Sequence, residues 1–299
     1  MFYTRVDEAW RHHEIWLHRV GTNPDEDQLI LREDDESFGL WCDSSRDGKW
    51  LVITSTSTET TEVHLVSTTD PDERFVVRER EQGVFYTAEV AGDELLIIHN
   101  AEEPGFELAT APVRPSDVTE WTSLVKPAAG ERFLEVAAFK SFAALHTRAK
   151  GGTEIRIIER TAKGWDKPYM LPIPETMTVE ISANYEWETT GIDVVAESLI
   201  QPQTWLNWDV KDKELTTLKT LEVPGYDPAA YVEYREWAEA EDGVKIPLTI
   251  AHRADLDRAG DNPGFIYGYG SYEICDDPYF TPMRLPLLDR GVVYVVAHI

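Results

Sequence analysis

One stretch of the 299-residue chain combines residue types and spacing that could do chemistry: Phe265-Ile266-Tyr267-Gly268-Tyr269-Gly270-Ser271-Tyr272. Its apolar start predicts a buried strand over residues 263–269, and its two glycines let the backbone turn sharply and hold aromatic side chains over a cavity. A tyrosine on such a turn can donate its hydroxyl hydrogen bond to a developing oxyanion. The same tyrosines could equally be rim packing, because tyrosine is routinely half-buried. Other chemistry is missing. Ser271 follows Gly270 directly, out of phase with a G-x-S-x-G elbow, and is a poor nucleophile. No histidine pair has H-E-x-x-H spacing, and His12-His13 falls in what reads as a charged, solvated hairpin tip rather than a metal site. No phosphate loop or dinucleotide fingerprint occurs, so neither a cofactor nor a metal is expected.

The elements that must hold this stretch are read from a repeat. Glu14-Ile15-Trp16-Leu17, Glu62-Val63-His64-Leu65, Glu107-Leu108-Ala109, Glu154-Ile155-Arg156-Ile157 and Thr204-Trp205-Leu206-Asn207 share a polar residue followed by alternating apolar positions. Taking Ile15, Val63, Leu108, Ile155 and Trp205 as equivalents, the intervals are 48, 45, 47 and 50 residues, close to the roughly 40–50 residues of a four-stranded propeller blade. Within one unit, residues 38–42, 50–55, 62–66 and 75–77 are rich in β-branched and aromatic types, with Asp47-Gly48 and Asp70-Pro71 as turns. Phe2-Tyr3-Thr4 and Phe85-Tyr86-Thr87 repeat a triplet about two blades apart. A β-sandwich also has short strands, but it does not repeat a four-strand pattern at a fixed interval. The reading is a partial, all-β propeller over residues 1–225 whose first unit lacks its innermost strand.

After Val223-Pro224-Gly225 the pattern changes. Strands over residues 231–240 and 244–252 flank Asp242-Gly243, a strong hairpin signal. A strand at 263–269, a short helix near 283–289 and a strand at 292–298 follow, and strand, crossover, strand is how an α/β sheet begins. Residues 226–299 therefore read as a second domain, the opening strands of an α/β fold.

Composition narrows the partners. With 55 Asp and Glu against 28 Lys and Arg, the formal net charge is −27. Phosphate backbones and anionic membranes are repelled by such a field, so no nucleic acid and no membrane partner is expected. A cationic peptide would gain from it, although such charge also serves simply to keep a surface soluble. Two distant cysteines, Cys42 and Cys275, give no disulfide framework and fit a reducing cytoplasm. The exposed strand edges of an open half-propeller invite self-association.

The run from Gly264 to Tyr272, then Asp277-Pro278, then Arg284-Leu285-Pro286-Leu287-Leu288-Asp289-Arg290-Gly291, resembles the start of the hydrolase domain in the prolyl oligopeptidase family of serine peptidases, in particular its oligopeptidase B branch. The hairpin Glu236-Trp237-Ala238 with Glu241-Asp242-Gly243 and Pro247 is similar to that family's entry into the domain, and Glu197-Ser198-Leu199 with Pro202, Thr204 and Trp205 resembles its last blade. The resemblance implies a propeller covering an α/β-hydrolase active site, with short peptides cut after Lys or Arg. It also implies that Tyr269 completes the oxyanion hole and that Tyr272 lines the substrate pocket. Ser271 and Tyr272 stand where prolyl oligopeptidase itself has Gly and Phe, which favours the B branch. The nucleophilic serine, aspartate and histidine would come beyond residue 299, so these residues alone would be inactive. A non-catalytic propeller scaffold or degenerate peptidase is the alternative, and a propeller glycosidase a third, although no carboxylate pair stands out for it.

Overall fold

The computed structural model describes residues 1–114, 121–272 and 274–299. Nearly every element is a strand, as the alternation of β-branched and aromatic residues between Gly, Pro and Asp turns dictates. The first sheet contains β1 (Phe2–Val6), β2 (His12–Leu17) and β3 (Gln28–Arg32) in that order. The second is a meander of β4 (Gly39–Ser44), β5 (Trp50–Thr56), β6 (Thr61–Ser67) and β7 (Arg74–Arg78). The third repeats it with β8 (Tyr86–Ala91), β9 (Glu94–His99), β10 (Glu107–Pro112) and β11 (Thr122–Val125). In the fourth, β12 (Glu131–Ala138), β13 (Phe142–Ala149) and β14 (Gly152–Thr161) precede two short pieces, β15 (Gly164–Trp165) and β16 (Tyr169–Met170), that both pair with β14. The fifth is β17 (Thr178–Ile181), β18 (Gly191–Glu197), β19 (Thr204–Asp209) and β20 (Glu214–Thr220). Antiparallel four-stranded sheets following one another in sequence are the blades of a partial propeller.

The five repeat positions occupy the same place in these blades, on β2, β6, β10, β14 and β19. In four of them a register shift against the outermost strand falls directly after the marker residue, at Ile15/Trp16, Val63/His64, Leu108/Ala109 and Trp205/Leu206. A bulge there twists the blade edge, so the repeat is a shared backbone feature as well as a sequence pattern. Ile15, Val63, Leu108 and Ile155 are buried. Trp205 is only half-buried and receives the Lys219 ammonium over its ring at 5.3 Å. Counted from that bulge, β1, β2 and β3 are the second-, third- and fourth-strand equivalents of the first sheet among the described residues.

Three local expectations change. The Phe-Tyr-Thr triplets are out of phase, since Phe2 opens a second-strand equivalent whereas Tyr86 opens a first strand, so their match says nothing about the repeat. His12 and His13 lie in β2 rather than at a hairpin tip; the tip is the turn around Asp7 to Trp10, closed by Asp7 Oδ1 accepting from the Ala9 and Arg11 amides. The helix expected near 283–289 is a 3₁₀ turn, Pro282–Arg284, running into the single turn α1 (Leu285–Leu288), with Thr281 capping the Met283 amide.

The last sheet joins β21 (Tyr231–Glu239), β22 (Lys245–Arg253), β23 (Gly264–Tyr267) and β24 (Val293–Ala297) in the order β21-β22-β24-β23. Asp242-Gly243 turns β21 into β22, with Gly243 at φ +85°. β24 is antiparallel to β22 but parallel to β23, the arrangement in which an α/β sheet starts.

The chain forms two compact units, Met1–Ala129 with Phe133–Ala143 and Tyr185–Glu188, and Gly130–Arg132 with Ala144–Asn184 and Thr189–Ile299. Within the first, Ile15, Leu40, Leu51, Ile53 and Val66 form one core cluster, and Trp50, Val63, Leu65, Tyr86, Leu95 and Ile97 another. Within the second, Leu199 packs with Ala251 and Val296 of the last sheet. Among the described residues no helix is long and apolar enough to cross a membrane, and Cys42 and Cys275 are in no disulfide.

Candidate functional site

The parallel pair β23/β24 places the tyrosine–glycine run. Gly264 to Tyr267 lie opposite Val293 to Val296, and the chain then continues beside residues 297–299. A Cβ on Gly268 would stand 3.0 Å from the Ala297 carbonyl oxygen, and one on Gly270 2.8 Å from that of Ile299. The glycines are therefore required by close backbone approach. Tyr269 between them keeps an exposed side chain, at 39% of full accessibility, while Tyr272 stands almost free at 89% with a left-handed φ of +59°. The strand leading into the run is not buried: Phe265, Ile266 and Tyr267 are all exposed, because β23 is an edge strand paired only with β24 among the described residues.

The segment after the run is tied down at successive residues. The negative charge of Asp276 raises the Tyr267 phenol above its ordinary pKa. Arg148, on β13, grips Asp277 through two parallel bonds, Nη1 to Oδ1 and Nη2 to Oδ2, each 2.5 Å. Thr178 Oγ1 donates to the Pro278 carbonyl at 2.7 Å, and Glu197 Oε2 accepts from the Phe280 amide at 2.8 Å. Arg284, buried to 4% accessibility, donates to the carbonyls of Tyr279 and Leu199 at 2.7 and 3.1 Å and lies 4.6 Å over the Tyr294 ring.

A second set of contacts joins the β13–β14 turn to the last sheet. Lys150 and Gly151 both have left-handed φ, +52° and +73°. Arg235 on β21 donates to the Lys150 carbonyl at 2.8 Å, and Thr249 shares a 2.7 Å hydrogen bond with the His298 ring. Burial, reinforced by Arg148 for His146 and by Arg235 for His298, pushes both imidazoles down to about 4. Both depressed values favour the neutral ring in the folded state, so the stability they contribute is present above the ordinary histidine value and is lost as pH falls from about 6.5 toward 4. Glu233, raised by burial, opposes this in part. A histidine C2-proton NMR titration should find both midpoints near pH 4; a midpoint near 6.5 for either would show that its ring is not desolvated.

The first unit has a cavity of about 410 Å³ lined by Trp41, Asp43, Arg46 and Glu89. Burial pushes the Glu89 carboxyl up to about 7 against the pull of Arg46. Cys42 also lines this cavity, but burial and the neighbouring Asp43 push its thiol up, away from the nucleophilic thiolate. No group of three or more His, Cys, Asp or Glu able to hold a metal occurs among the described residues.

The structure brings Tyr269 and Tyr272 to one exposed loop and mounts them differently there. Tyr269 is held between two close backbone approaches, whereas Tyr272 projects outward. Sequence reasoning noticed Asp277-Pro278 but missed Arg148, Thr178, Glu197 and Arg284 as its anchors. A contact spanning 129 residues leaves no local signal.

Successive four-stranded antiparallel sheets followed by a mixed sheet define a propeller protein with a further sheet after its blades. The chain belongs to the prolyl oligopeptidase family: the family model described as "Prolyl oligopeptidase, N-terminal beta-propeller domain" matches residues 1–220. It is similar to oligopeptidase B. The solved structure of oligopeptidase B from Leishmania major aligns at TM-score 0.89 and 31% identity, covering 100% of this chain and 43% of that one. Protease 2 of Moraxella lacunata is 32% identical over 304 residues, and dipeptidyl aminopeptidase BI of Pseudoxanthomonas mexicana 33% over 303, each across 100% of this chain. The chain spans 43% and 41% of the length of those two relatives.

Proposed function

We propose that residues 1–225 are the propeller of a cytoplasmic serine oligopeptidase and residues 226–299 the opening of its α/β-hydrolase domain, with oligopeptidase B-type cleavage of short peptides after Lys or Arg. Tyr269 supplies a hydroxyl to the oxyanion hole, and Tyr272 lines the substrate pocket. The observation that carries this reading is the parallel β23/β24 pair, whose close approach to Gly268 and Gly270 presents Tyr269 with its side chain accessible. The family match over residues 1–220 and the likeness to oligopeptidase B support it. The net charge of −27 supports a cationic substrate, because a field of that sign raises the local concentration of basic peptides. The exposed edge of β23 is also where a second copy would add if the chain self-associates.

No G-x-S-x-G occurs in these residues, so residues 1–299 alone should show no serine-reagent-sensitive hydrolysis of arginyl or lysyl esters. Fused to the portion of the Leishmania major enzyme that they do not cover, they should support cleavage after Arg and Lys and leave prolyl substrates intact. Hydrolysis by residues 1–299 alone, or a fusion that prefers proline, would overturn the reading.

A further inference from the structure

The third sheet ends in a strand that its own ladder holds poorly. β11 faces β10 through Leu108–Val125, Ala109–Ser123 and Thr110–Thr122, with a register shift after Leu108, and none of its residues is fully buried. Side chains on and beside β11 add to that ladder, and they converge on one buried pair, His99 of β9 and Glu107 of β10. The two are directly opposite across the strands and 2% and 4% accessible, with His99 Nε2 3.6 Å from Glu107 Oε1. Just before β11, the Trp121 ring lies 4.6 Å from the His99 ring. Within the strand, Ser123 Oγ donates to Glu107 Oε2 at 2.7 Å. Just after it, the Lys126 ammonium stands 3.7 Å from the same Oε2. All three handles on β11 therefore end at the His99–Glu107 pair.

This cluster is short of hydrogen bonds. Among the described residues neither ring nitrogen of His99 nor the Trp121 indole nitrogen has a partner, and a buried polar group in that state favours a conformer that returns it to water. A charged imidazole would be worse placed than a neutral one. Glu107 Oε1 is beyond hydrogen-bond reach, its other oxygen is engaged by Ser123, and the Arg78 guanidinium of β7 already lies 4.6 Å over the Trp121 ring. Tyr86, opposite His99 on β8, is a phenol that burial keeps neutral. Burial lowers His99 below its ordinary pKa; Glu107 and Glu102 work against that, Arg78 and Lys126 with it. A histidine lowered in the folded state contributes stability above its ordinary value and loses it as pH falls.

We propose that His99 is an acid-operated latch for β11: its neutral ring, packed against Trp121 beside Glu107, holds the outermost strand of the third sheet, and protonation releases that strand. Release uncovers the hydrogen-bonding edge of β10, so acidification turns a capped sheet edge into one open to pairing. The latch is independent of the use made of Tyr269.

Amide hydrogen exchange in residues 1–299, corrected for the chemical exchange rate at each pH, reads the opening of β11 directly. An imidazole in water, with a pKa of about 6.5, is about ten parts charged to one at pH 5.5. Opening at 122–125 should therefore rise by about threefold to tenfold between pH 7.5 and about 5.5, while β8 and β9 of the same sheet change by less than about twofold. His99→Phe keeps an aromatic ring against Trp121 and takes no proton, so its opening at 122–125 should be flat over that range. Should that variant not fold, His99→Gln is expected to give the same flat profile. Burial also lowers His64, on β6, and a step that survives in the substituted protein would assign the response to His64 or another group and overturn the inference. So would opening at 122–125 that is flat in the unsubstituted protein, or that rises equally in β8 and β9, since the sheet would then be loosening as a whole.

Discussion

Tyr269→Phe, in the fusion that supplies a nucleophile, is expected to lower kcat by about 10²–10³-fold while KM moves by less than about threefold. The substitution keeps the ring and removes one hydroxyl, so packing between Gly268 and Gly270 is retained. A hydroxyl aimed at the position of the oxyanion, rather than at the ground-state carbonyl, stabilises the transition state selectively; losing one such donor costs about 2.7–4 kcal/mol. The side chain is suited to this because it is accessible at 39% and yet mounted on a backbone pressed against Ala297 and Ile299. Steady-state kinetics with an arginyl ester measures the effect. A proportional rise in KM at constant kcat would place Tyr269 in substrate binding instead. Tyr272→Ala, at a side chain 89% accessible, should raise KM more than it lowers kcat.

Gly151→Ala is expected to destabilise the second unit by about 2–5 kcal/mol, from about 1–2 kcal/mol for a non-glycine residue in the left-handed region and about 1–3 kcal/mol for overpacking. Its φ is +73°, and an added Cβ would stand 2.9 Å from the Cβ of His298 and from both Cβ and Cγ of Pro247. Neither neighbour can swing aside: one atom is fixed to the backbone after β24 and the others belong to a proline ring in β22. Gly243→Ala is the matched control. It has φ +85° with nothing within 4 Å of the new Cβ, so it should show only the conformational cost. Chemical denaturation followed by tryptophan fluorescence compares the two, and equal midpoints would mean that the β13–β14 turn does not press on the last sheet. Because β22 and β24 hold β23, the same contact underlies the mounting of Tyr269.

The repeat was legible because blades impose two local rules at once, alternation of apolar residues and a fixed interval between equivalent strands. Ile15, Val63, Leu108 and Ile155 are buried for that reason. The phase error in the Phe-Tyr-Thr triplets shows the limit of matching letters without strand count: Tyr3 faces Trp16 across β1/β2, whereas Tyr86 plugs the blade by donating to the Arg78 carbonyl and accepting from the Val63 amide. The tyrosine–glycine run reads in sequence as a sharp turn out of a strand, whereas the structure shows Gly268 and Gly270 in close backbone approach to Ala297 and Ile299. Its surroundings were not legible. Apolar Phe265-Ile266-Tyr267 reads as buried by composition, and only the sheet order reveals an edge strand. Arg148 and Arg284 look like ordinary surface cations in sequence, and their roles depend on partners 129 and 85 residues away.

The most direct test is a crystal structure of the fusion with an arginyl peptide aldehyde bound to its nucleophile, whose hemiacetal oxygen occupies the oxyanion position. The Tyr269 hydroxyl should lie about 2.7–3.1 Å from that oxygen, with Asp277 still gripped by Arg148. A Tyr269 hydroxyl turned away from the hemiacetal, or separated from it beyond hydrogen-bond reach, would contradict the account.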